Sequence, residues 1–173
     1  LTKNLIAPFS TDMEKAREIY SWIDGNITVD IKKYLKGETG SSTIATGYKP
    51  GNDADPDAYL NKILKKKKVL PADYSNLFLI MCNISGIKAT VVKGTYRMSP
   101  RLAGRIIKGS KDYWNAVFID GKWYIADTFS GSGEIYREKK KFIRKFRGEF
   151  FQIKPETAIM SHFPESDQNQ FLF

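Results

Sequence analysis

Apolar residues recur at helical spacing in two stretches of the chain and gather into strand-like runs in its second half. Met13, Ala16, Ile19, Tyr20 and Ile23 keep the three-four spacing of a helix that buries one face. Thr11, followed three residues later by Glu14, gives the pattern of a capping box at the start of this run, and Gly25 stops it. From Lys36 to Pro56 the chain is rich in Gly, Ser, Thr, Asn and Asp with no sustained apolar period, which predicts a long loop near any cleft the fold forms. A short helix is expected from Pro56 to Lys65.

The most regular segment comes next. Tyr74, Leu77, Phe78, Met81, Cys82 and Ser85 follow the spacing of a buried helix face until Gly86 ends it. Pro71 suits the first helical position, because the N–H it lacks would have no partner inside the helix, and Asp73 suits the positive end of the helix dipole. Strand signals dominate afterwards. Ile87 to Tyr96 is rich in β-formers, and Tyr113 to Ile119 and Lys122 to Thr128 flank Asp120-Gly121, a hairpin turn signal. Met98 to Lys111 reads as a basic, glycine-containing connection, and Phe150 to Ile153 predicts an edge strand. These elements predict an α+β fold.

Composition narrows the picture. With 173 residues, 42% of them hydrophobic and 13% aromatic, the chain can bury one core and is too short to need two, so a single domain over 1–173 is expected. No stretch approaches the roughly 18 uninterrupted apolar residues of a membrane span. The chain begins Leu1-Thr2-Lys3, without Met or an apolar signal core, which reads as a boundary within a longer protein. Cys82 is the only cysteine and His162 the only histidine, which excludes an internal disulfide and a multi-thiolate metal site, and a zinc site would need mostly carboxylates. The net charge of +9 is concentrated in Lys65 to Lys68 and in a run from Arg137 to Arg147. Only Phe142 and Phe146 interleave the second run and no nucleic-acid motif accompanies it, so sequence-specific nucleic-acid binding is not expected, while a polyanionic partner stays open.

Three segments, in order, resemble the transglutaminase-like superfamily: Leu70-Pro71-Ala72-Asp73-Tyr74-Ser75-Asn76-Leu77-Phe78, Asp112-Tyr113-Trp114-Asn115-Ala116-Val117 and Trp123-Tyr124-Ile125-Ala126-Asp127. With Lys15-Ala16-Arg17-Glu18-Ile19-Tyr20-Ser21-Trp22-Ile23 in front and Ser161-His162-Phe163-Pro164-Glu165 behind, the chain is similar to the kyphoscoliosis-peptidase type. The resemblance implies a papain-like cysteine-protease fold, N-terminal helices with a central helix packed on an antiparallel β-sheet. It also implies a triad: a nucleophilic cysteine at the start of the central helix, a histidine on the next strand and an aspartate on its neighbour. In such a site the helix dipole lowers the thiol pKa, the imidazole takes the proton and the carboxylate orients the imidazole.

Carried over by residue, the cysteine position falls on Pro71, the histidine position on Asp112 and the aspartate position on Asp127. Proline has no side-chain heteroatom to attack an acyl carbon, and Asp112 has no thiol beside it to deprotonate. The expectation is a catalytically inactive domain, without a cofactor, that binds a protein, peptide or polysaccharide at its vestigial cleft or serves as a scaffold module. Asp73, Tyr74, Tyr113, Trp114 and Asn115 are the candidate binding residues. The alternative is a hydrolase in which Asp73, Asp112 and Asp127 converge on an activated water or a metal; the same cluster would hold a hard cation or an amine. Cys82 is expected in the core and His162 in a structural role. The resemblance implies an extracytoplasmic or bacterial cell-surface setting, which nothing in the residues themselves fixes.

Overall fold

Two helices open the chain, α1 (Thr2–Ile6) and α2 (Asp12–Asn26), in a computed structural model that describes residues 1–40, 56–97 and 112–172. The capping box forms as its sequence predicts: the Thr11 side chain accepts from the Glu14 N–H at 3.2 Å, and the Glu14 carboxylate accepts from the Thr11 N–H at 3.0 Å. Then come β1 (Thr28–Val29), α3 (Ile31–Tyr34), α4 (Pro56–Lys66) and β2 (Lys68–Val69), with β1 and β2 paired in parallel. Residues 41–55, within the expected loop, and the Met98 to Lys111 connection lie outside the described residues.

The central helix is α5 (Pro71–Ile84), buried from Pro71 to Cys82 except for Asp73. It is followed by β3 (Lys88–Tyr96), β4 (Asp112–Ile119), β5 (Lys122–Ala126) and α6 (Thr128–Ser132). The hairpin β6 (Gly133–Tyr136) and β7 (Lys141–Arg144), a 3-10 turn at Gly148–Phe150, α7 (Pro155–Ala158) and β8 (His162–Pro164) complete the fold. The main sheet is antiparallel throughout, in the order β5-β4-β3-β8. Asp120 and Gly121 both take positive φ, 52° and 75°, as a primed two-residue turn between β4 and β5 requires.

One sheet face packs on α5. Val117 and Ile119 join Leu77, Phe78 and Met81, and α2 and α4 close the far side of the helix with Ile19, Ile23, Leu60 and Ile63. A buried amide crosses this layer: Asn115 donates to the Ser75 carbonyl at 3.0 Å and the Thr90 carbonyl at 3.3 Å, tying the helix to the sheet. The other face buries Val92, Trp114, Ala116 and Ile125 beneath Ala158 of α7.

Two boundaries differ from the sequence expectation. Phe150 to Ile153 is not an edge strand: Phe150 and Phe151 turn into the core, Gln152 takes φ 61°, and only Ile153 makes an isolated bridge, to Ile125. The edge beside β3 is filled instead by β8. Thr128 belongs to α6 rather than to β5, because the Asp127 side chain accepts from the Ser130 N–H and starts a helix there.

Gly94 of β3 lies where the Trp114 indole and the Phe163 carbonyl leave no room for a methyl group. Gly94→Ala is expected to cost about 1–3 kcal/mol in a urea titration, as overpacking does. Gly25, inside α2, has open space around it, and Gly25→Ala is expected to stabilise by about 0.5–1 kcal/mol in the same measurement.

Candidate functional site

The start of α5 is the position at which a helix offers its unpaired N–H groups and the positive end of its dipole. Here the chain itself takes them up. Pro71 has no N–H, the Ala72 N–H donates to the Thr39 carbonyl at 2.8 Å, and the N–H groups of Asp73 and Tyr74 both reach the Leu70 carbonyl. Asp73 closes the cap, accepting from the Leu70 N–H at 3.0 Å and from the Tyr59 hydroxyl at 2.8 Å. Burial, and then the Asp73 charge, push the Tyr59 phenol well above its ordinary value, so it remains a donor to that carboxylate. Gly40, with φ 101°, lies so close that an added Cβ would sit 2.9 Å from the Asp73 Oδ2. The Pro71 end of the helix is therefore covered by the segment before it.

A separate cavity of about 580 Å³ holds the other two positions. Asp112, Asp127 and Tyr113 line it together with Tyr96, Phe129 and Arg147. Asp112 opens β4 and accepts from the Tyr96 N–H at 3.0 Å. Asp127 ends the β4–β5 hairpin and does two things at once. Its Oδ1 accepts from the Ser130 N–H at 2.9 Å, capping α6, and its Oδ2 lies 3.3 Å from His162 Nε2. Burial, and next the Asp127 charge, raise the Tyr96 phenol above its ordinary value.

The Asp127–His162 pair is interior, with Asp127 3% and His162 2% exposed. The Ser161 hydroxyl lies 2.9 Å from His162 Nδ1. Each ring nitrogen of His162 thus lies within hydrogen-bond distance of a partner, the serine hydroxyl on one side and the carboxylate on the other. Serine, imidazole and carboxylate in line have the composition of a charge-relay system. The ring, however, is enclosed by Tyr96, Trp114 and Phe150, and neither Ser161 nor His162 lines the cavity above. The geometry is that of a buried polar tie holding β8 to the sheet.

The residues singled out from sequence thus divide. Asp112, Tyr113 and Asp127 share one cavity, whereas Asp73 lines another, of about 570 Å³, with Tyr59, Gly40 and Lys62. The three carboxylates are not gathered into one cleft, because the fold gives Asp73 to its own helix cap, and no three His, Cys, Asp or Glu side chains among the described residues form a metal-binding group. Tyr74, Trp114 and Asn115 are interior: Tyr74 stacks edgewise on Phe129, Trp114, 1% exposed, lies against His162, and Asn115 bridges to Ser75. Cys82 is fully buried, and burial pushes its thiol far above the range in which a thiolate forms. Sequence reasoning missed Thr39 and Tyr59 at the helix start and His162 as the partner of Asp127. The lone imidazole in the Ser161–Pro164 segment was a visible signal, but nothing in its spacing tied residue 162 to residue 127.

Residues 1–128 match the family model described as the transglutaminase-like superfamily. Over 173 residues the chain is 27% identical to the mouse kyphoscoliosis peptidase and 28% identical to the human one, covering 99% of this chain and 24% of each relative. It is 24% identical to Drosophila hillarin over 186 residues, covering 99% of this chain and 20% of that protein. The chain therefore spans about a quarter of the length of these two curated relatives. A crystal structure described as that of a TGase superposes with a TM-score of 0.51 at 19% identity, covering 87% of this chain and 34% of that one, a likeness of fold.

Removing the Asp127 carboxylate takes away a helix cap and leaves Nε2 of a buried imidazole without its partner. Asp127→Ala is expected to lower stability by about 3–5 kcal/mol in chemical denaturation, and Ser161→Ala by no more than about 1.5 kcal/mol. Cys82 is expected to resist iodoacetamide in the native protein and to alkylate in denaturant, read by mass spectrometry.

Proposed function

Given that the chain belongs to the transglutaminase-like superfamily, we propose that it is a catalytically silent member whose remaining role is to bind a protein, peptide or glycan, as one domain of a longer protein. The observation that carries this reading is the proline at the start of the central helix. Thiol-dependent acyl transfer begins with an electron pair on sulfur attacking a carbonyl carbon, and it needs donors to receive the charge that develops on oxygen. Pro71 brings neither a side-chain heteroatom nor a backbone N–H, and the next N–H donates to Thr39. Cys82 lies eleven residues further along α5, roughly 16 Å along the helix axis, and is sealed in the core. Asp112, at the expected base position, holds a backbone N–H of β3. Losing the nucleophile alone lowers turnover by about four to six orders of magnitude.

What supports binding is the cavity beside Asp112. Its size, its aromatic walls and its few convergent charged groups are those of a ligand site. The carboxylate hydrolase is not favoured, since both Asp127 oxygens have partners and Asp73 lies elsewhere.

Assays of acyl transfer from a glutamine-containing peptide to a primary amine, and of peptide hydrolysis, are expected to show no turnover and no covalent adduct in intact-mass spectra. Turnover, or an acyl group trapped on the native chain, would end the silent reading. Peptide and glycan arrays are expected to yield a ligand whose affinity falls at least about tenfold on Asp112→Asn, which keeps the acceptor for Tyr96 and removes the charge. A ligand indifferent to that change binds elsewhere.

A further inference from the structure

The basic run from Lys65 to Lys68 divides in the structure. Lys66, at the end of α4, and Lys68, in β2, line the cavity beside the start of α5, whereas Lys65 and Lys67 do not. Lys62 lies four residues before Lys66, on the same face of α4, and lines the cavity too; Lys33 of α3 completes a set of four. The backbone that carries them is anchored. Leu60 and Ile63 of α4 are buried in the core, β2 pairs with β1, and the Asp30 N–H donates to the Val69 carbonyl at 2.8 Å just before α3 begins. All four lysines are exposed, and none forms an ion pair among the described residues. Three carboxylates line the same cavity, and two of them are directed into helix caps. Asp30 accepts from the Lys33 N–H at 3.3 Å, and Asp73 accepts from the Leu70 N–H and the Tyr59 hydroxyl. The third, Glu38, is exposed. With four lysines against three carboxylates, the walls are basic on balance.

We propose that this cavity binds a compact polyanion, a small ligand carrying two or more phosphate or sulfate groups, through Lys33, Lys62, Lys66 and Lys68. Ammonium groups brought in on flexible stems from three elements meet the oxygens of such a ligand from several sides. The concave shape selects for size. A cavity of about 570 Å³ admits a small molecule, whereas duplex nucleic acid, with its phosphates along an extended backbone, would meet the lysines only at the rim. A single carboxylate would engage one or two of the lysines against the opposing Glu38; several charges on one small molecule engage all four. This cavity shares no lining residue with the one beside Asp112, so polyanion binding here and ligand binding there can fail separately.

The test is isothermal titration calorimetry of the 173-residue chain with inorganic tripolyphosphate and with sucrose octasulfate. At least one probe is expected to bind at low salt and to bind more weakly as salt rises. Lys62→Gln with Lys66→Gln is expected to weaken binding at least about tenfold. Lys139→Gln with Lys140→Gln removes the same charge from the turn of the β6–β7 hairpin, away from the cavity, and is expected to change binding less than about twofold. Glu38→Gln, on the cavity wall, is expected to strengthen it about twofold or more. Thermal melts establish that each variant is folded, and Lys33→Gln with Lys68→Gln supplies a second cavity pair if the first is not. Tighter binding of one probe identifies which of the two groups the ligand carries. No binding of either probe at low salt would overturn the proposal. So would equal weakening by the cavity pair and the turn pair, which would mean attraction to the net charge alone.

Discussion

A helix buried along most of its length has to be enclosed on every side, and α5 imposes that condition on the rest of the chain. The sheet covers one side through β3 and β4, and α2 and α4 cover the other. Asn115 fixes how helix and sheet meet, because a buried amide tolerates only arrangements in which its hydrogens find acceptors, here one carbonyl from each layer. Once that contact is set, the start of α5 lies beside the start of β4: Ala72 and Tyr113 pack in one cluster. This juxtaposition of helix start and strand start is what a thiol enzyme of this fold would use.

In this chain the same place is capped by its own residues. A catalytic helix start keeps its N–H groups unpaired and its dipole directed at substrate, which destabilises the free protein in exchange for reactivity. Pro71, Asp73 and Thr39 remove those unpaired donors, through a missing N–H, a cap and a backbone contact, and the Tyr59 hydroxyl donates to the capping carboxylate. Asp127 has likewise become an anchor, its two oxygens divided between α6 and β8.

Much of this was legible in the sequence. The capping box, the central helix from Pro71 and the Asp120-Gly121 turn rest on local rules, in which the signal and the element occupy the same few residues. The pieces that escaped depend on distant partners. β8 is three residues long and is a strand only because β3 offers an edge, and Phe150 to Ile153 looks extended until the core draws in two phenylalanines. The β6–β7 hairpin was hidden by its lysines, whose density masks the inward-facing Ile135 and Phe142. The site divided in the same way. Asp112, Tyr113 and Asp127, which the resemblance brings to one site, line one cavity, whereas Asp73 lines another, because its carboxylate turns back onto its own helix, a contact the order of residues does not report.

The tie between Asp127 and His162 also bears on how the domain is delimited. The family match ends at residue 128, one position after the aspartate, yet the ring nitrogen that meets that buried carboxylate arrives 35 residues later. The segment by which this superfamily is recognised thus stops short of residues that its buried aspartate meets. A polypeptide cut at the end of the recognisable motif would carry an acidic side chain in its interior with no counterpart, and its sheet would lack the strand that closes one edge.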